Sequence, residues 1–346
     1  MEPVDLEIRP LTGAEAGRWD AYVAACPEAT FFHKAGWKTV IEKSFGQRTH
    51  FLYAEAQGRI RGLLPLAHYK SRMFGNGLIS NGCCMGGGPV ADDGLVHAAL
   101  DRQALTLMKR LGASFLEYRR PARRHADWAF RDDLYATFEN TIEPDEAENL
   151  KQIPRKQRAV LRKAFNLGLT AEIDTDIDRF YPLYATTVHR LGTPVFSKTY
   201  FRALLAEFGA DCDILTVSQE GRPLSSVLSF YFRDRVMPYY AGAGPGARQA
   251  GANDFMYWRL MRRAVEHGYG VFDFGRSKIG SGPYDFKKNW GFEPTPVVHE
   301  FRIADGAPLP DLNPRNPKFQ LFIAAWKRLP LGLANWMGPH IVRNIG

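Results

Sequence analysis

The chain has 346 residues and a formal net charge of +8 at pH 7, with 45% hydrophobic and 24% charged residues. This length suits two hydrophobic cores better than one, and the composition is that of a folded globular protein. No apolar run is long enough to cross a bilayer, and the acidic start, Met1–Asp5, lacks the apolar segment of a signal peptide. The sequence therefore predicts a cytoplasmic protein with an anionic partner; a generally basic protein is the alternative.

The cysteines do not indicate a metal site or a disulfide framework. Cys26, Cys83, Cys84 and Cys212 lack the spacing of metal ligands, and a disulfide between adjacent cysteines would be unusual. Reduced, buried thiols are therefore expected. We expect no metal and no tightly bound cofactor.

The first half of the chain predicts three strands, a helix and a fourth strand. Strand-like runs at 49–57 and 59–70 are joined at Gly58, and a third covers 78–85. A Gly-rich loop then leads to a helix over about 95–111 and a buried strand over Ser114–Tyr118.

The second half repeats this order. Strand-like runs cover 212–220, 222–234 and 236–243, and a Gly/Pro loop leads to a helix over about 254–267 and a strand over Val271–Phe274. A duplication predicts two similar domains with mixed sheets flanked by helices, which is the mixed α/β core of an acetyltransferase-like (GNAT) domain. Two unrelated α/β halves are the alternative. We place the domains at 1–143 and 144–305, followed by a C-terminal tail at 306–346.

A basic helix is predicted to open the second domain. Arg155, Arg158 and Arg162 recur at helical spacing and share one face. One guanidinium group can donate hydrogen bonds to two phosphate oxygens at once, so this face is predicted to bind an anionic substrate. A solvated surface is the alternative. Further along, His189 and Arg190 are predicted to line the acceptor site, the alternative being a simple turn after a helix.

The most informative segment lies between Asn253 and Pro296. The strand Val271–Phe274 ends in the motif Phe272-Asp273-Phe274-Gly275-Arg276-Ser277, which is followed by a Gly-rich gap and by Phe286-Lys287-Lys288-Asn289-Trp290-Gly291. Open α/β sheets place their ligands just after such strands, so Asp273, Arg276, Ser277, Lys287 and Lys288 are predicted to lie in one neighbourhood.

This pair of motifs resembles the C-terminal part of the FemAB/FemX-like family, and within it the branch associated with exosortase/PEP-CTERM and exopolysaccharide gene clusters. The resemblance covers about residues 5–305. It implies a tandem GNAT fold and a transferase that attaches amino acids or acyl groups to amines of cell-envelope precursors. It also implies an active-site lysine at Lys287 first and Lys288 second, and a substrate-facing role for the basic helix.

Acyl transfer to an amine requires a proton acceptor and a stabilised oxyanion. No nucleophile paired with a histidine is evident, so direct attack in a ternary complex is expected. Lys287 or Lys288 is predicted to stabilise the oxyanion. Asp273 or a tyrosine, which could be Tyr239, Tyr240 or Tyr284, is predicted to accept the proton.

The donor stays open between acyl-CoA and aminoacyl-tRNA. In GNAT enzymes that use acetyl-CoA, the loop between the third strand and the following helix binds the pyrophosphate of the donor with backbone N–H groups at the helix N-terminus. The sequence pattern of that loop is Arg/Gln-x-x-Gly-x-Gly/Ala. Arg248 and Gly251 fit this pattern, whereas Asn253 replaces its last residue and is also a suitable helix cap. The first half has Asp92 and Asp93 at this position, so it is not expected to bind a CoA-like donor.

The tail is basic and rich in aromatic residues. It has no acidic residue from Asn313 onward and carries Arg315, Lys318, Lys327, Arg328 and Arg343 among large apolar residues. Pro330 breaks any long helix. Such a segment favours an anionic membrane surface, hence peripheral attachment at the inner membrane face; a helix packed on the body is the alternative.

Together these observations predict a cytoplasmic acyl- or aminoacyltransferase acting on an amine of a cell-envelope or exopolysaccharide precursor, peptidoglycan-type or linked to a lipid or nucleotide. Its partners would be that anionic precursor and, for an aminoacyl donor, tRNA. A non-catalytic binding or scaffold protein of a polysaccharide assembly system is the second class considered. A dedicated RNA-binding protein is disfavoured, because the aromatic and basic residues do not form a stacking platform.

Overall fold

A computed structural model of the protein describes residues 6–71, 75–310 and 317–344. The strands are β1 (Glu7–Pro10), β2 (Arg48–Thr49), β3 (Leu52–Ala56), β4 (Arg59–Leu64), β5 (Ala67–Ser71), β6 (Gly75–Ser80), β7 (Val90–Ala91), β8 (Phe115–Arg120), β9 (Ala129–Arg131), β10 (Tyr135–Thr141), β11 (Leu169–Asp174), β12 (Cys212–Gln219), β13 (Arg222–Phe232), β14 (Arg235–Ala243), β15 (Val271–Asp273), β16 (Ser277–Lys278), β17 (Pro294–Pro296) and β18 (Val298–Ile303). The helices are α1 (Ala16–Ala25), α2 (Gly36–Phe45), α3 (Gly94–Arg110), α4 (Glu146–Gln152), α5 (Arg155–Phe165), α6 (Ile177–Leu191), α7 (Lys198–Phe208), α8 (Ala247–Ala250), α9 (Ala252–Glu266), α10 (Gly282–Asn289), α11 (Pro317–Trp326) and α12 (Leu331–Val342).

The chain divides into two compact units whose boundaries differ from those predicted. The first unit comprises Met1–Asp133, Val297–Asn313 and Ile341–Gly346, and the second comprises Leu134–Pro296 and Pro314–His340. Strand β10 lies in the range predicted as the first domain but pairs with β15, and β18 lies in the range predicted as the second domain but pairs with β8. Strand pairing joins segments distant in sequence, and local patterns do not show which sheet a strand enters.

The first unit has its strands in two sheets. One has the order β1-β3-β4-β7 and the other β2-β5-β6-β8-β18-β9. The run predicted as one strand over 59–70 is divided between β4 and β5 at Pro65. Proline has no N–H to donate to a neighbouring strand, so it interrupts the ladder where one sheet gives way to the other.

The second unit is built on one mixed sheet with the order β11-β12-β13-β14-β15-β10-β16. Helix α9 covers one face, where Trp258, Phe272, Phe274 and Trp290 form part of the buried core. Helix α6 lies against β14, and the Thr187 hydroxyl accepts a 2.8 Å hydrogen bond from the Ala243 amide. Gly242 permits this contact, because a Cβ there would lie 2.2 Å from the Tyr184 backbone nitrogen.

The predicted repeat of strand, loop, helix and strand is present in both units. Strands β6 and β8 flank α3 and pair in parallel, and β14 and β15 flank α9 and pair in the same way. The prediction of two mixed α/β units with a common core is therefore confirmed. The cysteines form no disulfide. Within the described ranges, no helix has the length and apolarity needed to span a membrane.

Candidate active site

The parallel ladder between β14 and β15 in the sheet of the second unit is short, because β15 ends at Asp273 while β14 continues. Their parallel ladder joins Arg235 to Val271 and Val236 to Phe272, and β14 then continues to Ala243. Within this stretch the register against β13 shifts, so that Tyr239 is an extra residue at a β-bulge. Beyond the end of β15, the middle of the sheet has a gap beside β14, and the bulge reorients the local side chains.

Asp273 ends β15 at the mouth of this gap. Its carboxylate accepts a 2.8 Å hydrogen bond from the Gly275 amide, which turns the chain sharply after the strand. Gly275 has a φ of 67°, a backbone conformation that favours glycine. The turn exposes the carbonyl oxygens of residues 274–276 to the side chain that enters from α10.

Lys287 is that side chain, and it is buried. Its Nζ donates to the carbonyl oxygens of Phe274 at 2.5 Å, Gly275 at 2.9 Å and Arg276 at 3.3 Å. The ammonium also lies over the Phe138 ring, 5.4 Å from its centroid. All three protons of the ammonium group are thus engaged, and the longest of the three bonds is the one most easily exchanged for a ligand oxygen.

Burial brings the pKa values of Asp273 and Lys287 towards each other. Desolvation raises the pKa of Asp273 to about 6, against the opposing effect of the Gly275 hydrogen bond. Desolvation lowers the pKa of Lys287 to about 7, although the Asp273 carboxylate opposes this shift. Neighbouring groups that titrate near neutral pH are suited to proton transfer, and they are more frequent at functional sites than elsewhere.

The other residues predicted for this neighbourhood differ in their surroundings. Ser277 is buried on β16, and the Arg276 guanidinium stacks 4.4 Å from the Tyr135 ring centroid. Lys288 is exposed and lies over the Tyr284 ring. Tyr239 packs its ring against Tyr240 and Phe230. Lys287 and Asp273 are therefore the buried ionisable pair at the gap, whereas the Lys288 side chain lies at the surface.

The predicted donor loop forms the turn between β14 and α9. Arg248 is exposed on the short helix α8, and Gly251, with a φ of 64°, immediately precedes α9. A Cβ at Gly251 would lie 3.1 Å from the Val160 side chain of α5, so glycine lets these two helices approach. Asn253 is half-buried in the first turn of α9 rather than at its cap.

Asp254, which was not predicted as a site residue, lies in the first turn of α9. Its carboxylate accepts a 2.9 Å hydrogen bond from the Trp290 indole N–H and another from the Gln157 amide. Burial raises the pKa of Asp254. Its position as an acidic residue in the first helical turn was visible in the sequence. Its hydrogen-bond partners, on α5 and just after α10, could not be predicted because they are remote along the chain. The carboxylate complements the helix dipole and competes with a phosphate for this terminus.

Replacing Asp254 with leucine is expected to lower the free energy of unfolding by about 1–3 kcal/mol, because the indole N–H of Trp290 is left buried without an acceptor. Chemical denaturation monitored by circular dichroism measures this change. Asp254→Asn retains one acceptor oxygen and is the matched control, with a smaller expected loss. Equal stability of wild type and Asp254→Leu would contradict a structural role for this carboxylate.

The basic helix α5 lies beside the same turn. Gln157 contacts Asp254, and Val160 contacts Gly251, so the first half of α5 borders the N-terminus of α9. Arg155 and Arg162 are exposed, and Arg158 is half-buried. The Arg158 Nε is buried and has no hydrogen-bond partner among the described residues. An unsatisfied buried guanidinium nitrogen is costly, and an anionic ligand would satisfy it.

His189 and Arg190 lie elsewhere, at the C-terminal end of α6. His189 is half-buried, with a buried Nε2 that has no hydrogen-bond partner in the described part of the chain, and Arg190 is exposed. The adjoining Gly192 lies against α11, where a Cβ would approach Ile323 to 2.5 Å. The described contacts thus join this segment to the C-terminal helices.

Comparison with known proteins identifies this architecture. Residues 149–288 match the family model described as an acetyltransferase (GNAT) domain. FemX superposes with a TM-score of 0.67 at 16% identity, over 92% of this chain and all of FemX. The fold is that of FemX. The predicted FemX-like, tandem GNAT fold is therefore confirmed, and the exosortase-associated branch stays a prediction.

Two further solved structures share the FemX-like fold. One is a tandem GNAT protein from the clavulanic acid biosynthesis pathway, with a TM-score of 0.53 and 14% identity over 89% of this chain and all of that one. The other is the C-terminal domain of a protein described as a lysylphosphatidylglycerol synthetase from Agrobacterium fabrum, with a TM-score of 0.55 and 13% identity over 85% of this chain and 93% of that one. No curated protein matches the sequence. At these identities the structural matches establish the fold alone.

Proposed function

We propose that the protein transfers an acyl or aminoacyl group to an amine of a cell-envelope or exopolysaccharide precursor, acting in the cytoplasm. The buried Asp273–Lys287 pair at the gap between β14 and β15 is the observation that carries this proposal. The acetyltransferase-domain match over residues 149–288 includes both residues. The FemX-like fold and the lysylphosphatidylglycerol synthetase domain among its structural neighbours support an envelope substrate.

The proposed chemistry is a direct attack in a ternary complex. The acceptor amine nitrogen forms a bond to the donor carbonyl carbon, and the carbonyl π electrons move to oxygen. The Asp273 carboxylate accepts the proton that the amine loses, and the Lys287 ammonium stabilises the oxyanion by exchanging its 3.3 Å bond to Arg276. Collapse of the oxyanion then expels the thiolate or alkoxide of the donor.

The donor is either an acyl-CoA or an aminoacyl-tRNA. Both are anionic, and both suit the face of α5 that carries Arg155, Arg158 and Arg162. The position of Asp254 at the start of α9 disfavours a pyrophosphate held there by the helix dipole alone. A non-catalytic binding role is the second candidate, because the three carbonyl contacts of Lys287 are also those of a purely structural lysine.

The direct test combines binding with a transfer assay. Wild-type protein is titrated with a series of acyl-CoAs and with aminoacyl-tRNA, and the melting temperature is recorded, since a ligand specific for the folded state raises it. Each stabilising donor is then incubated with amine-bearing peptidoglycan-type precursors, and the products are analysed by mass spectrometry. A mass increase on the acceptor confirms transfer, and binding without transfer by any donor supports the binding role instead.

Replacing Arg155, Arg158 and Arg162 together with glutamine is expected to weaken binding of the stabilising donor by about tenfold or more at low salt, because the loss of even one charge-assisted bond to phosphate costs about 1.5–3 kcal/mol. The variant should also lose most of the salt dependence of binding. Calorimetric titration at two salt concentrations measures both effects. Substitution of Arg102, Lys109 and Arg110 on α3 with glutamine is the matched control, and equal losses in both variants would contradict a specific site.

A further inference from the structure

The two C-terminal helices, α11 and α12, are apolar on more than one face. One face is packed on the second unit: Trp326 and Ala334 are each only 2% exposed. Gly338 lies so close to Val195 that a Cβ would stand 2.8 Å from the Val195 backbone nitrogen. The pair of helices, called here the C-terminal hairpin, is therefore anchored by close contacts.

The opposite face of the hairpin is both apolar and exposed. Leu321 is 75% exposed and Trp336 is 69% exposed. Of the ten large hydrophobic side chains that are exposed in the described parts of the chain, five belong to the hairpin: Leu321, Phe322, Leu331, Leu333 and Trp336. Single exposed hydrophobic residues are common, but such a concentration on an ordered element marks a surface that binds something apolar.

The positive charge of the hairpin favours an anionic membrane over a second copy of this chain as the partner. Lys327 and Arg328 are exposed between the two helices, and the sequence contains no acidic residue after Asp311. In a symmetric dimer built on this face, the two cations of one copy would approach those of the other with no carboxylate from the hairpin to compensate. A bilayer rich in anionic lipids supplies hydrocarbon for the leucines and phenylalanine, an interfacial layer for Trp336, and phosphates for the cations.

We propose that the C-terminal hairpin docks the protein on an anionic membrane surface, with its exposed apolar face in the interfacial layer. This proposal is independent of the proposed transfer reaction. Within the second unit, the hairpin contacts Gly192 at the end of α6, and Thr187 on the preceding turn of α6 contacts Ala243 at the end of β14. The hairpin thus lies towards the end of the sheet at which β14 finishes, and docking brings that end close to the lipid headgroups.

The test is co-sedimentation of the full-length protein with vesicles of phosphatidylcholine, alone or mixed equally with phosphatidylglycerol. Wild type is expected to bind the mixed vesicles. The double substitution Leu321→Glu and Trp336→Glu should lower the partition coefficient about 100-fold, because two exposed anchors are replaced by charges. Lys327→Gln with Arg328→Gln should lower it about fivefold per charge on mixed vesicles and leave any binding to neutral vesicles unchanged.

Matched controls come from α3 in the first unit. Leu95 is 77% exposed, so Leu95→Glu changes an equally exposed leucine outside the hairpin. Lys109 and Arg110 are exposed neighbours, so Lys109→Gln with Arg110→Gln is the control for Lys327→Gln with Arg328→Gln. Both controls should bind like wild type. Trp336→Phe preserves the apolar face and should remove the part of the tryptophan fluorescence that bromine-labelled lipids quench.

Three results would overturn the proposal. The first is equal binding of wild type and Leu321→Glu/Trp336→Glu to mixed vesicles. The second is wild-type binding that does not depend on phosphatidylglycerol. The third is a concentration-dependent dimer, detected by sedimentation velocity, that the hairpin substitutions dissociate in a protein that does not bind vesicles, which would assign the surface to a second copy of this chain.

Discussion

Replacing Lys287 with alanine is expected to lower the turnover number of the proposed transfer about 100- to 1,000-fold, the effect of removing one donor to a developing oxyanion in a water-poor site. The substitution should also lower the free energy of unfolding by about 1–3 kcal/mol, because buried carbonyl groups that Lys287 now satisfies lose their donor. Turnover is measured with the donor and acceptor identified by mass spectrometry, and stability by chemical denaturation.

Lys288→Ala is the matched control for this experiment. The sequence left Lys288 as the second candidate, and the structure places its side chain at the surface over Tyr284. Its loss should change turnover and stability little. Lys287→Arg tests the geometry: the larger, planar guanidinium should restore only part of the activity. If Lys287→Ala loses stability but retains wild-type turnover, the lysine serves only to hold the turn after β15.

The proximity of Asp273 and Lys287 could be predicted, because it depends on the order of neighbouring elements along the chain. A short strand, a glycine turn and a short helix return the chain past the strand end, and each element has its own signal in the sequence. The three carbonyl contacts of Lys287 could not be predicted, because they depend on the conformation that Gly275 gives to the turn. The sequence thus predicted that the Lys287 ammonium would be free to bind substrate, whereas in the structure it already donates to three backbone carbonyl oxygens.

Long-range pairing explains what else the sequence did not show. The carboxylate of Asp254 is held by Gln157 and Trp290, each remote from it along the chain. Strand β18 returns to the first unit although its sequence continues directly from the second. The break of β4 from β5 at Pro65 had a visible cause, a proline in the middle of a strand pattern. His189 and Arg190 were predicted for the acceptor site because they form a cationic pair before a turn, and this role stays a prediction.

Replacing Asp273 with asparagine is expected to lower the turnover number about 100- to 10,000-fold, the range for loss of a positioned general base. In wild type, the reaction requires Asp273 as a carboxylate and Lys287 as an ammonium. Activity should therefore fall as the pH decreases through about 6, the pKa of Asp273, and fall again as the pH rises through about 7, the pKa of Lys287. The pH–rate profile should be a narrow bell, and Asp273→Asn should lose its acidic limb.

Measurements of stability distinguish a general-base role of Asp273 from a purely structural role. Burial raises the pKa of Asp273 in the folded protein above its ordinary value of about 4, so the protonated form favours folding. Its contribution to stability is complete below pH of about 4 and is lost as the pH rises through about 6. At pH 8 the buried carboxylate therefore opposes folding, and Asp273→Asn, which still accepts the Gly275 hydrogen bond, should be at least as stable as wild type. A large loss of turnover without a loss of stability is the expected sign of a general base. Parallel losses of both would instead make Asp273 a residue that only shapes the turn.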